Sequence, residues 1–434
     1  MASNAPGARD AFHSLHSRRR SPRDHEGHRG RSPLSLVLLI ATIGCKSKAE
    51  REQIAPTVPV VIASDGSVAE PPATSAWPEL EELPRAEPLR VIHLPSRADR
   101  PRFDVGGPVI VDEIAVVASS EFGFTAVDWR RGTVAWTKPA GDRVAPPLVR
   151  GGSFVLIGGC ATPPVIPDAH TLLGCMRSVT PAGADEQYVA VHGMAKLVEE
   201  FAGAAGAQQL WTESERTIRW RRGDSAVSID VMTGVATPAP AGAPPLSVTY
   251  KDRHWDISHD DGKIVARDKG KVAWSTEYPY TALLGSVWIP GQSPMVRVAN
   301  ISARSRTPEV RLLDIDATGS MAGQAAWIPV PGISLLGQAI SPVGDVALAV
   351  RMDTTIKRDF IAAYAANALL IWVYPLPQIL RADPVGVAIA LDDERVPEAV
   401  VVFHDGDTVT VLPPLSSPPT APGAARGPLE NPTP

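Results

Sequence analysis

The sequence predicts an all-β protein, a single β-propeller of roughly seven or eight four-stranded blades preceded by a signal peptide and a disordered tether. Three observations predict this fold: a recurring turn, a spacing of about 40 residues between similar strand runs, and a composition that favours short strands over helices. A four-stranded blade cannot bury its own apolar face without a neighbour. Its recurrence therefore implies that several copies stack or form a ring.

The recurring turn has two clear copies, Asp128 to Trp136 and Asp268 to Trp274. In each copy a strand ends on the Asp, the chain turns through a Gly, and a new strand closes on the Trp four residues after that Gly. Weaker copies begin at Ile229, Leu313 and His404. The turn therefore indicates blades along most of the chain.

Similar strand runs are spaced at the length of one blade. The run at Pro108 is echoed at Pro147, 39 residues later, and the run at Pro342 is echoed at Pro384, 42 residues later. These spacings match a four-stranded blade of about 40 residues. The 43 Pro and 35 Gly among 434 residues favour short strands and turns. The predicted propeller occupies residues 90–412.

Two segments within this region are ambiguous. Residues 195–206 are rich in Ala and lack turn residues, which predicts a short helix or an insertion. Residues 359–374 are apolar but too short to span a membrane, and they predict two buried strands joined at Ala366-Asn367.

The N-terminus is organised like an export signal. Seven Arg in residues 1–33 precede an uncharged apolar run of ten residues, Leu34 to Ile43. Ten residues rise about 15 Å as a helix, roughly half of a bilayer core, so the run is typical of a signal peptide and not of a spanning helix. The following Gly-Cys45 resembles the lipobox of bacterial lipoproteins, which implies cleavage before Cys45 and lipid attachment to its thiol. The alternative is an ordinary cleaved signal, with Cys45 discarded or free.

Composition sets the remaining boundaries. Residues 1–44 form the predicted lipoprotein signal peptide, and residues 45–89, rich in Pro, Glu and Ala, form a disordered tether. Residues 413–434 form a disordered Pro-rich tail. Lys46 follows the lipobox Cys, and by resemblance to Gram-negative lipoproteins this favours the outer membrane, facing the periplasm.

The two remaining cysteines, Cys160 and Cys175, flank a Pro-rich loop of fourteen residues. An even pair in an exported chain favours a disulfide, which would contribute roughly 3 kcal/mol on the chain-entropy model. A metal pair or a redox dithiol is the alternative, but the sequence has no Cys-x-x-Cys.

The best-formed repeat is similar to a known family. The pattern Pro108 to Val117, Gly123 to Asp128 and Gly132 to Trp136 resembles the repeat of pyrroloquinoline-quinone-type (PQQ-type) β-propellers. That family includes quinoprotein dehydrogenases and the BamB-type lipoproteins of outer-membrane protein assembly. In it the blade Trp packs between neighbouring blades. The resemblance therefore implies that three tryptophans, Trp136, Trp274 and Trp372, dock blades and take no part in catalysis.

Two clusters of polar residues imitate metal sites. The stretch Asp314 to Gly319 matches the opening of a calcium loop, but the closing Glu is replaced by Ala325. His254 to Gly262 gathers two His and three Asp, but alternation along a strand sends His259 to the face opposite His254. Its Asp-Asp-Gly is ordinary hairpin chemistry. The sequence therefore predicts no metal site and no catalytic residues.

Together these features predict a non-catalytic envelope lipoprotein whose propeller binds a protein partner, by resemblance in outer-membrane protein assembly. Residues after 33 carry 35 basic and 44 acidic side chains, which argues against nucleic acid as the partner. No position matches the cofactor residues of quinoproteins, so no cofactor is predicted. Two alternatives stay open: a quinone-dependent dehydrogenase-like enzyme and a cell-wall carbohydrate-binding module.

Overall fold

The structure is a computed structural model of the full chain. It describes residues 83–94, 104–119, 123–139, 144–160, 171–206, 208–242, 245–250, 253–260, 262–277, 281–287, 295–302, 309–316, 318–320, 330–332, 334–353, 358–367, 369–376 and 385–415. The predicted signal peptide and Cys45 lie outside these residues.

The described residues form seven four-stranded sheets, here called blades, and one helix. Blade 1 consists of β2 (Asp104–Val111), β3 (Ile114–Ser119), β4 (Gly123–Asp128) and β5 (Thr133–Lys138). Blade 2 consists of β6 (Leu148–Arg150), β7 (Ser153–Gly158), β8 (Leu172–Val179) and β9 (Asp185–His192). Helix α1 (Ala195–Gly203) follows it. Blade 3 consists of β10 (Gln208–Thr212), β11 (Thr217–Arg222), β12 (Ser225–Asp230) and β13 (Ala236–Ala239).

The second half repeats the same arrangement. Blade 4 consists of β14 (Leu246–Tyr250), β15 (Arg253–Asp260), β16 (Lys263–Asp268) and β17 (Lys271–Glu277). Blade 5 consists of β18 (Thr281–Val287), β19 (Met295–Ser302), β20 (Glu309–Ile315) and β21 (Val330–Pro331). Blade 6 consists of β22 (Ser334–Ile340), β23 (Val346–Asp353), β24 (Arg358–Tyr364) and β25 (Leu370–Pro375). Blade 7 combines β26 (Gly386–Leu391), β27 (Pro397–His404) and β28 (Thr408–Leu412) with β1 (Arg90–His93).

Each blade is an antiparallel meander, and the blades close into a ring. The first strands of neighbouring blades lie against one another, as β2 does against β6 and against β26. The first strands therefore line the centre, and the fourth strands form the rim. Blade 7 takes its fourth strand from the N-terminal side of the body, where Val91 pairs with Thr410. This pairing joins the two ends of the folded region, and the predicted propeller is confirmed.

The apolar core is divided among the contacts between blades. Six clusters of buried residues each combine side chains from two adjacent blades, as where Val127 of blade 1 packs in one cluster with Phe403 of blade 7. The second and third strands supply most of them: β3, β4 and β7 are buried throughout. The fourth strand β5 is largely exposed. Burial between blades explains why the second and third strands are continuous apolar runs.

The folded body is longer at both ends than the composition predicts. Residues 83–89, assigned to the tether from their composition, pack on blades 6 and 7: Leu83 and Ala86 are buried, and the Ala86 N–H donates to the Val373 carbonyl at 2.9 Å. At the other end Leu415, assigned to the tail, is buried. Hydrogen bonds to the rim strands give these Pro-rich segments an ordered position that their composition does not reveal.

Several local expectations can be compared with the strands. Residues 195–203 form helix α1. Residues 359–374 form the strands β24 and β25, joined by a turn at Ala366-Asn367, as the sequence predicts. The echo between Pro108 and Pro147 joins the equivalent strands β2 and β6. The echo between Pro342 and Pro384 is wrong, because it aligns the second strand of blade 6 with the first strand of blade 7. Both strands are buried apolar runs, so their sequences look alike.

Candidate functional site

The three predicted docking tryptophans occupy equivalent places on fourth strands. Trp136 on β5 donates from Nε1 to the Pro181 carbonyl, in the β8–β9 turn of the next blade, at 2.9 Å. Trp372 on β25 is buried, and its Nε1 donates to the Pro414 carbonyl, just after the third strand of blade 7, at 3.4 Å. In both cases the indole of one blade contacts the chain that leaves the third strand of the following blade.

Trp274 on β17 shows the same relation to blade 5. A Cβ on Gly319, in the turn after β20, would lie only 2.8 Å from the Trp274 ring, so Gly leaves room for the indole. Gly183 stands in the same relation to Trp136, at 2.7 Å. Both strands continue beyond their Trp, to Lys138 and Glu277, instead of closing on it as the sequence predicts. The docking role of the three tryptophans stays a prediction.

The disulfide is confirmed: Cys160 and Cys175 are bonded, with Cα atoms 5.0 Å apart. Cys160 follows β7, and Cys175 lies in β8 opposite Gly158. The bond therefore ties the connection between the second and third strands of blade 2. It has a structural position, and Cys175 is buried.

The meander gives the ring two different faces. The turns between first and second strands and between third and fourth strands lie on one face, here called the turn face. The connections between second and third strands and from blade to blade lie on the other, here called the loop face. On the turn face, Asp carboxylates cap tight turns: Asp230 Oδ1 accepts from the Thr233 N–H at 2.9 Å, and Asp316 Oδ1 accepts from the Thr318 N–H at 2.8 Å.

The residues that resemble the opening of a calcium loop have structural roles on the turn face. Asp314 does not face a loop: its carboxylate binds Arg297 in β19, with Nε–Oδ1 at 2.8 Å and Nη2–Oδ2 at 2.9 Å. Arg297 is 1% exposed and also donates to the carbonyls of Gly344 and Ala366 in blade 6, at 2.6 and 2.7 Å. This buried guanidinium joins blades 5 and 6, and no sequence motif identified it.

The histidine cluster is spread over both faces of β15. His254 Nε2 lies 3.4 Å from Asp256 Oδ1 on one exposed face, and His259 lies on the other. Among the described residues, no three His, Cys, Asp or Glu side chains come together to hold a metal ion. Within the same residues, no helix is long and apolar enough to cross a membrane.

The loop face carries a pocket between blades 2 and 3, beside helix α1. Helix α1 forms because Leu197, Val198 and Phe201 fall on one face and are buried, while Lys196 and Glu200 pair at 3.7 Å on the exposed side. The pocket is lined by seven residues: Val144, Leu173, Phe201, Ala202, Gln208, Trp220 and Arg222.

The pocket has an apolar floor and a polar rim. Phe201 and Trp220 meet edge to face, with ring centroids 4.7 Å apart and an interplanar angle of 65°. Gln208 and Arg222 lie opposite each other on β10 and β11. Trp220, two residues before Arg222, therefore points to the same side of the sheet. The Trp220 Nε1 donates to Gln208 Oε1 at 3.1 Å, and Arg222 Nη1 donates to the Ala202 carbonyl at 3.2 Å.

Sequence reasoning missed this pocket. The Ala-rich stretch that forms helix α1 is the one sign in the sequence of an irregular element between blades. No local sequence pattern connects Phe201 with Trp220 or Arg222. The residues come together because helix α1, in the connection from blade 2 to blade 3, packs on β8 and β12, and its last turn then meets Trp220 and Arg222 of β11.

The fold is similar to that of several solved structures. The computationally designed Ika8 protein matches with a TM-score of 0.43 at 12% identity, covering 74% of this chain and 99% of that chain. The quinohemoprotein alcohol dehydrogenase from Comamonas testosteroni matches at 0.40 and 14%, covering 76% of each chain. BamB from Moraxella catarrhalis matches at 0.33 and 13%, covering 71% of this chain and 85% of that chain. No family model and no curated protein matches the sequence. At these sequence identities the similarity concerns the fold alone.

Proposed function

We propose that this protein is a non-catalytic propeller scaffold, attached to the cell envelope by a lipid on Cys45, that binds a protein partner through its loop face. The observation that carries the proposal is the meeting of three features at one place on that face. Helix α1, the disulfide-bonded strand β8 and the pocket lined by Phe201 and Leu173 are contiguous there. A surface built from irregular elements on a rigid scaffold is where recognition usually occurs.

The envelope location is supported by two independent features. Disulfides persist in oxidising compartments, and the Cys160–Cys175 bond lies in the folded body. The sequence before Cys45 has a basic segment, a short apolar run and a small residue, as a lipoprotein signal has. With Lys46 after the lipidated Cys, we place the protein at the outer membrane, facing the periplasm.

The nature of the partner follows from the repeat. Its resemblance to the BamB-type lipoproteins makes a component of outer-membrane protein assembly the first candidate partner. We propose that residues 46–82 act as the tether that their composition predicts, so that the ring can reach a membrane-embedded protein while the lipid holds it near the surface.

A single crosslinking experiment tests the proposal. A photo-crosslinking amino acid replaces exposed Glu200 of α1 on the loop face, and a matched control replaces Val343, 50% exposed in a turn of blade 6 on the turn face. We expect a discrete envelope protein to crosslink at Glu200 and not at Val343. In Cys45→Ser we expect the protein to leave the membrane fraction and the crosslink to weaken. Equal crosslinks at both positions, or membrane attachment without Cys45, would contradict the corresponding part of the proposal.

A further inference from the structure

We propose that the pocket beside α1 binds the C-terminal carboxylate of a polypeptide whose last residue is aliphatic. This inference rests on the proposed scaffold function and deepens it, because it names the part of the partner that the loop face recognises. The occupant follows from the chemistry of the floor and of the rim, taken in turn.

The floor of the pocket suits an aliphatic side chain. Val144, Leu173, Phe201 and Trp220 are each at most 3% exposed and line the pocket with apolar atoms. Leu173, Phe201 and Trp220 are held by the core cluster between blades 2 and 3, and Val144 is held by the cluster between blades 1 and 2. The Trp220 N–H, which would otherwise need a partner here, is already bonded to Gln208. An aliphatic group that enters the pocket would therefore bury its own apolar surface without burying an unsatisfied donor.

The rim of the pocket presents donors and a positive charge. Arg222 uses one N–H for the Ala202 carbonyl, and no carboxylate pairs with it in the part of the chain that the structure describes. Gln208 uses its oxygen to accept from Trp220, so its amide N–H groups remain available to a ligand. A guanidinium and an amide donor side by side match the two oxygens of a carboxylate.

A chain terminus provides both groups in the required proximity. In a C-terminal Leu or Val, the carboxylate and the aliphatic side chain branch from the same Cα. One can reach the rim while the other enters the floor. An internal Asp or Glu carries its carboxylate on its own side chain, so an aliphatic side chain near it belongs to another residue and branches from a different Cα. The arrangement therefore selects a free C-terminus over an acidic surface segment.

The test uses the purified full-length protein and a fluorescent hexapeptide ending in Leu, measured by anisotropy. We expect saturable binding, and about tenfold or greater loss of affinity when the peptide carries a C-terminal amide, because charge-assisted hydrogen bonds are lost. This comparison needs no protein variant. Equal binding of the acid and the amide, or no saturable binding of either, would overturn the inference.

Two variants then place the binding in the pocket. Arg222→Gln should reduce affinity for the free acid about tenfold or more and leave the amide unchanged. Arg221→Gln is the matched control, since Arg221 points to the opposite side of β11 and bonds to the Gly223 carbonyl. Equal effects of the two variants would overturn the site. Displacement of the peptide by 4-methylpentanoate at equal concentration would overturn the assignment to a chain terminus, because it would identify a free short-chain acid as the ligand. A partner that crosslinks at Glu200 without peptide binding would refute this inference alone and leave the scaffold function standing.

Discussion

Asp230 shows how a single carboxylate holds a turn at the edge of blade 3. It ends β12, its Oδ1 accepts from the Met232 and Thr233 N–H groups, and its Oδ2 accepts from Arg216 Nε at 2.6 Å. These bonds, the one from Thr233 first, favour the ionised form and lower the pKa of Asp230. The charge of this side chain therefore contributes to stability in a pH-dependent way.

The sign of that dependence gives the first prediction. Because the pKa of Asp230 is lower in the folded than in the unfolded chain, its contribution is complete above the unfolded value of about 3.9 and is lost as the pH falls through the folded value. Asp230→Asn keeps an acceptor oxygen but loses the charge. We expect it to be less stable than the wild type at pH 7 and to approach the wild type as the pH falls below about 4. Urea unfolding at both pH values measures this, and a gap that widens in acid would contradict it.

At the scale of elements, the contact between a fourth strand and the next turn is the recurring joint of the ring. Trp136 fills this joint between blades 1 and 2, packing on Phe154 with ring centroids 6.1 Å apart and bonding to the Pro181 carbonyl. The sequence reveals the joint where Asp, Gly and Trp coincide, as at Asp268 to Trp274. The sequence does not reveal the contact between blades 6 and 7, because the Trp372 indole meets Pro414 there and not a turn between two strands. The spacing of similar runs also confuses β23, a second strand, with β26, a first strand. Both are continuous apolar runs, without the alternation of apolar and polar residues that would tell them apart.

The docking role of Trp136 gives the second prediction. Trp136→Ala removes the indole from the joint and should lower the free energy of unfolding by about 2–4 kcal/mol. This is below the usual loss for a Trp in a core, because the Trp136 side chain is only partly buried. Trp136→Phe should cost about 1–2 kcal/mol, mainly the bond to Pro181. The control is Val134→Ala, 40% exposed on the same strand, which should change stability by less than about 0.5 kcal/mol. If Trp136→Ala behaved like the control, the indole would not be a docking residue.

At the scale of the whole molecule, the ring depends on a pairing between residues more than 300 positions apart, which no local pattern predicts. Arg90 pairs with Val411 and His93 with Thr408. Ile92 and Leu94 are buried in the cluster between blades 7 and 1. Composition assigned the residues just before β1 to a flexible tether because they are rich in Pro and Glu, yet their backbone groups bond to the rim of the ring. The pocket beside α1 is equally invisible in sequence, because it forms only when two blades and a helix meet.

Ring closure gives the third prediction. A chain that starts at residue 83 keeps the whole described body, whereas a chain that starts at residue 95 loses β1 and leaves β28 as an unpaired edge. The second chain also loses the buried side chains of Leu83, Ile92 and Leu94, each worth on the order of 2–5 kcal/mol. That sum is comparable to the total stability of a folded domain, so we expect the chain from 95 to unfold or aggregate through its free edge. Thermal unfolding followed by circular dichroism, with size-exclusion chromatography, compares the two. A shared midpoint and a shared monomer peak would show that the ring holds without its N-terminal strand.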